Sequence, residues 1–164
     1  MPWLCTGLDG GSICQRVILL IIGFFGSRHC RDYRTIFRFL EVLKRKIPDL
    51  CVVTGDCTGT DELVYKACKQ LQIPVKVFKV SDNPLEISYE PEQTDILEII
   101  DEGPLRQRLR NRTIRLVKYV AKHNGKLIGY QVDGKGSQLA IRMAKQLNVP
   151  VYVIDPVNRK LIKL

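Results

Sequence analysis

The chain is poor in the residues that build metal centres and covalent frameworks. Its 164 residues include two histidines, His29 and His123, and six cysteines: Cys5, Cys14, Cys30, Cys51, Cys57 and Cys68. No cysteine pair is spaced C-x-x-C and neither histidine belongs to a ligand pattern, so no metal site is expected. No cofactor is expected either. Unpaired cysteines of this kind suit the reducing cytoplasm. Cys51 and Cys68 fall on faces expected to be buried, where a free thiol packs as a small hydrophobe.

Long apolar runs are also missing. The longest, Val17 to Phe25, has nine residues including Gly23, against the roughly 20 that a membrane-spanning helix needs. Only Arg16 precedes it closely and no small-x-small cleavage site follows, so a buried strand explains it better than a signal peptide. No membrane partner is expected. With 45% hydrophobic and 26% charged residues, the composition is that of one soluble domain with a single core.

Charge is present but segregated. The net charge is +9, yet from Ser81 to Gly103 there are eight acids and no Lys or Arg. From Pro104 to Lys126 there are eight basic residues and no acid. Two such blocks pair with each other or each face a partner, and the sequence leaves both open.

Residues 1–15 lack periodicity and read as a flexible N-terminal extension, leaving 16–164 as a single domain. Val17–Gly23 is rich in Val and Ile, the mark of a strand buried on both faces. Tyr33, Ile36, Phe37, Leu40, Leu43 and Ile47 follow at helical spacing, closed by Pro48. Leu50–Thr54 reads as a second strand, Leu63 to Leu71 as a helical stripe and Pro74–Val80 as a third strand. Short connections argue for parallel strands. Residues 81–103, with Pro84 and Pro91, read as an irregular acidic excursion with a short helix over Glu92–Ile100. A longer helix with basic faces spans Leu105 to Val120 and beyond, to about residue 122. Leu127–Val132, Gln138–Leu147 and Val149–Ile154 then read as strand, helix and strand. The expectation is an α/β, Rossmann-like domain with a five-stranded, mainly parallel sheet and helices on both faces.

Three strands end in small-residue loops. They are Gly23-Phe24-Phe25-Gly26-Ser27-Arg28 with Asp32 beyond, Thr54-Gly55-Asp56-Cys57-Thr58-Gly59-Thr60-Asp61-Glu62, and Asp133-Gly134-Lys135-Gly136-Ser137. In a parallel sheet they share the carboxyl edge, where ligands enter at the topological switch point. Glycine lets backbone amides approach phosphate oxygens, and a helix amino end adds unpaired amides and a positive dipole. Arg28 can clamp a phosphate, while Asp61 and Asp133 can accept from ribose hydroxyls or serve as helix caps. Asp32 reads as the cap of the first helix ahead of a ligand contact, and Thr60 reads equally as a cap or a ligand contact. Each loop alone reads as turn punctuation; the set of three points to binding.

These motifs resemble the YspA/YpsA-like branch of the SLOG superfamily, which also includes the DprA DNA-processing proteins and the LOG enzymes. The resemblance is carried by Gly26-Ser27-Arg28 with Asp32-Tyr33, by Val53-Thr54-Gly55 with Gly59-Thr60-Asp61, by Arg110-Asn111 and by Gly134-x-Gly136-Ser137. It covers roughly residues 17–155 and implies a Rossmann-like fold and a nucleotide-related ligand. It leaves a homodimer open. LOG-type phosphoribohydrolases have a last loop ending in a catalytic glutamate; here Ala140 stands at that position, and alanine cannot handle a proton.

The first functional expectation is therefore a binding module or sensor for a nucleotide, nucleotide sugar or ADP-ribose-like ligand, with Arg110 and Asn111 closing the site. A variant is an N-glycosidic hydrolase acting on the same ligand class. The alternative from another class is single-stranded nucleic-acid binding through the basic helix, with Arg108, Arg112 and Arg115 near one face. Stacking aromatics close to that block are limited to Tyr119 and Tyr130.

Overall fold

A strand buried on both faces needs an apolar residue at every position, and β1 (Leu20–Gly26) meets that demand. In the computed structural model, which describes residues 19–164, Ile22 and Phe24 enter one core while Ile21 and Phe25 enter the other. The strand thus runs through Gly23, Phe24 and Phe25, which sequence reading assigns to the following loop. Both phenylalanines are needed inside, each worth about 2–3 kcal/mol of burial. Val17 and the residues before it lie outside the described range, as does the expected extension over 1–15.

The chain continues through α1 (Tyr33–Lys46), β2 (Leu50–Gly55), α2 (Thr60–Leu71), β3 (Val75–Val80) and a 3-10 turn at Gln93–Asp95. It then forms β4 (Ile96–Ile100), α3 (Leu105–Lys122), β5 (Lys126–Tyr130), α4 (Gly134–Gln146), β6 (Val151–Asp155) and β7 (Lys160–Lys163). Among the described residues the sheet has seven strands rather than five, in the order β4-β3-β2-β1-β5-β6-β7. All pairs are parallel except β6 with β7. Helices α1 and α2 cover one face, and α3 and α4 the other.

Two strands correct the sequence reading. Residues 96–100 are β4, not helix: Ile100 is buried towards α3, while Leu97 and Ile99 point outward from an edge. This period of two outweighs the helical propensity of the glutamates nearby. β7 follows a tight turn capped by Asp155, whose carboxylate accepts from the amides of Val157 and Asn158. Its four residues are too few to show a period in sequence. Among the described residues, no helix is long and apolar enough to cross a membrane.

Candidate functional site

From β1 the chain runs outward in one direction through β2, β3 and β4, and in the other through β5, β6 and β7. The strand order therefore reverses between β1 and β5, and a crevice opens at their carboxyl ends. Gly26 pairs with Tyr130 at that edge. The segments that follow β1, β2 and β5 all leave the sheet from that edge.

Their contacts are specific. The Thr60 amide donates to Ser27 O at 2.9 Å, and Thr60 Oγ1 donates to Tyr130 O at 3.1 Å, so one buried threonine joins the first two loops to the end of β5. Gly59 has φ +84, and a Cβ there would stand 2.3 Å from Ser27 O. The close approach that Gly59 permits is thus to the neighbouring loop. Thr58 Oγ1 adds a 3.4 Å bond to Arg28 O. Ser27 is buried, and its Oγ accepts from the His29 amide at 3.1 Å. Arg28 is exposed.

Asp32 is the N-cap of α1. It accepts from the Thr35 amide at 3.1 Å and from Tyr130 OH at 2.5 Å. The Tyr130 hydroxyl, then the Thr35 side chain, hold its carboxyl below the usual range. Of the two readings open in sequence, the cap is the one the geometry contains.

Beneath the second loop lies a buried charge cluster that sequence reasoning did not single out. Arg112 on α3 reaches Asp56 with Nη1–Oδ1 at 2.7 Å. Asp56 Oδ2 also accepts from the Val80 amide and from Asn83 Nδ2, both at 3.1 Å. Asp61 shares the pocket; its Oδ2 accepts weakly from the Cys57 amide at 3.4 Å. Burial pushes the Asp61 pKa up to about 6; Arg112 opposes that rise and Asp56 adds to it. Burial likewise raises the Cys57 thiol. Tyr89 OH donates to Gly55 O at 2.7 Å. The available signal was the one long basic helix placed after a β-α-β-α-β unit, which brings an arginine back over β2.

The acidic excursion is fastened to this loop. The Thr58 amide donates to Ile87 O at 3.0 Å and the Tyr89 amide to Asp56 O at 3.2 Å. The two charge blocks meet directly at Arg115–Glu98. Other acids of the excursion pair elsewhere: Glu92 and Asp95 with Lys69, and Glu90 with Lys79. Arg108 donates to Ser81 O and, at 3.0 Å, to Ser81 Oγ. Arg108, Arg112 and Arg115 are therefore engaged inside the domain. The face of α3 that is exposed and basic carries Arg106, Arg110, Lys118 and Lys122 instead, with Asn111 half-buried beside Arg110.

The third loop is not a loop but the first turn of α4, which begins at Gly134 rather than at Gln138. Asp133 occupies the N-cap position without making a side-chain cap bond. Gly134 has φ +71, and neither it nor Gly136 has other atoms within 4 Å of where a Cβ would stand. Ser137 is 4% exposed, and its Oγ has no hydrogen-bond partner. Ala140 is 2% exposed in the core against the sheet. An open, uncapped helix end with a buried free hydroxyl is chemically suited to an anion. No group of three or more His, Cys, Asp or Glu among the described residues is arranged to hold a metal.

The strand order and the loop crevice define a Rossmann-like α/β domain. No family model matches the chain. No curated protein matches it. Among solved structures, DNA processing protein A (DprA) from Streptococcus pneumoniae superposes with a TM-score of 0.59 at 17% identity, over 85% of this chain and 51% of that one. DprA from Helicobacter pylori, whose structure describes a single-stranded DNA binding mode, does so with a TM-score of 0.59 at 16% identity, over 88% and 73%. The chain thus spans about half the length of the S. pneumoniae protein. The likeness is one of fold, shared with the matched part of each DprA protein, and it does not single out the YspA/YpsA-like branch.

Proposed function

We propose that this domain binds a nucleotide-type ligand at the carboxyl edge of the sheet, with its phosphate on the amino end of α4. The observation that carries this reading is the buried, unpartnered Oγ of Ser137 under the uncapped turn at Gly134–Gly136. A buried hydroxyl left unpaired costs about 1–3 kcal/mol, and a phosphate oxygen would satisfy it. Arg28, exposed on the adjoining loop, supplies the countercharge. Thr58, Gly59, Thr60 and Asp61 hold the loops in register and shape the site. Asp133, exposed at the α4 cap, would accept from a ribose hydroxyl.

Two substitutions test this without endangering the fold. Ser137→Ala removes an unsatisfied buried group, so stability should stay level or rise by about 1 kcal/mol. Affinity for the responding nucleotide, found by thermal shift and measured by calorimetry, should fall about fivefold to tenfold. Gly136→Ala should stabilise the helix by roughly 0.5–1 kcal/mol and weaken the same binding by crowding the amides. Unchanged affinity in both variants refutes the site.

A second reading, single-stranded nucleic-acid binding, is favoured by the exposed row Arg106, Arg110, Lys118 and Lys122 on α3. Such binding would weaken with salt, with a slope of about −0.7 per phosphate contacted. It would drop with Arg110→Glu and stay indifferent to Ser137→Ala. The two readings therefore separate on one pair of variants.

A further inference from the structure

On the α1 side of the sheet, the hairpin strand β7 has no helix of the described residues over it. Its extensive contacts are with β6, and all four of its residues are exposed. A groove of about 1120 Å³ lies between α1 and the β6–β7 hairpin. Phe39 and Leu43 from α1 and Ile154 and Leu161 from the strands line it. Two of its apolar residues stand partly open to solvent: Val42 at 43% and Leu161 at 37% exposure. Leu161 pairs with Ile154 across β6 and β7, so it points to the same face as the α1–α2 core.

The rim is basic. Arg34, Arg38, Arg45 and Lys46 come from α1, and Arg159 and Lys160 from the hairpin. The groove has two acids, and both are engaged. Glu41 lies 3.9 Å from Arg45, and Asp155 caps its own turn. Among the described residues, Arg34, Arg38, Lys46, Arg159 and Lys160 form no salt bridge.

We propose that this groove docks an acidic amphipathic helix of a partner protein, lying beside α1 and over β6 and β7 as a third helix of that layer. α1 has 14 residues, a length of about 21 Å at 1.5 Å per residue. Helices pack at about 8–10 Å from one another, and an apolar stripe laid into such a groove is a recurrent mode of recognition. The charge decides the occupant. A second copy would bring the same basic rim to a chain of net charge +9. Residues 1–18 carry one acid, Asp9, and one base, Arg16, and offer no complement. A nucleic acid would match the rim but would leave Val42 and Leu161 facing phosphates or sugars, with the half-buried Phe39 the one aromatic among the described lining residues.

The test uses the full chain and a dye-labelled helical peptide of about four turns, with leucines at i, i+3, i+4, i+7 and i+11 and glutamates on the other faces. Fluorescence anisotropy should show saturable binding. Arg38→Glu and Leu161→Glu should each weaken it by about tenfold or more. A peptide with the same leucines and lysine for glutamate should not bind. Melting curves confirm that the variants fold, and Val42→Ser provides a milder change at the same wall. Equal binding of the lysine peptide, or affinity untouched by all three variants, overturns the proposal. So does loss of an oligonucleotide rather than of the acidic peptide in the variants.

Discussion

At the scale of single residues, glycine and aspartate positions that look alike in sequence do different work. Gly59 supports a positive φ and lies against the backbone of the neighbouring loop. Gly59→Ala should therefore cost about 3 kcal/mol, from strain and from overlap with Ser27 and Arg28, measured by urea denaturation. Gly136 faces open space and tolerates the same change. Asp61 gives a pH signature. Its folded pKa, about 6, lies above its ordinary 3.8, so the folded state binds the proton more tightly. Its contribution is most favourable below about pH 4 and turns into a penalty as pH rises through 6, on the order of 3 kcal/mol in full. The stability difference between Asp61→Asn and the parent should therefore grow in favour of the variant from pH 4.5 to pH 7. A flat difference would remove Asp61 from the buried cluster. Asp32, Thr60 and Asp61 were all found from their positions in the motifs, and the cap expected of Asp32 is the one observed. Thr60 and Asp61 instead turn inward, one to Tyr130 and one to the buried cluster, which no local pattern separates from a cap or a ligand contact.

At the scale of elements, α3 is the piece whose reading changes most. Its arginines at 108, 112 and 115 form a basic face in sequence and a set of internal tethers in the fold. Arg112 ties α3 to the loop after β2, and Asp56 beneath it is almost wholly buried. Arg112→Met should cost about 3–5 kcal/mol, because it leaves a buried carboxylate without its cation. Asp56→Asn in the same chain should recover part of that loss, since the Asp56 side chain keeps neighbours at Val80 and Asn83. A double-mutant cycle in urea measures the coupling, and simple additivity would contradict the pair. The ends of elements were the least legible. α4 starts at Gly134 because a glycine with positive φ enters the helix there, whereas glycines in sequence ordinarily mark a loop. β4 was hidden by Pro91 and by the acids around it.

At the scale of the whole molecule, the two cores meet on the central strands β1, β2 and β5, and the edges are β4 and β7. Hydrogen exchange should follow that order. Amides of β1 and β2 should exchange only by global unfolding, and those of β7 should exchange first. Uniform protection across the sheet would contradict a layered domain with an open edge. Much of this architecture was legible in the chain itself. Periodic apolar spacing defined α1 and α2, continuous apolar runs defined β1 and β2, and three small-residue segments marked one edge of the sheet. Those features are local, since each depends on residues within a few positions of one another. What the tertiary structure alone decided is which arginine meets which aspartate, which strands form the edges, and which hydroxyl is left unpaired. Contacts such as Asp56 with Arg112, or Thr60 with Tyr130, join residues 56 and 70 positions apart. No local pattern encodes such a meeting, because it exists only after the sheet order has brought the loops together.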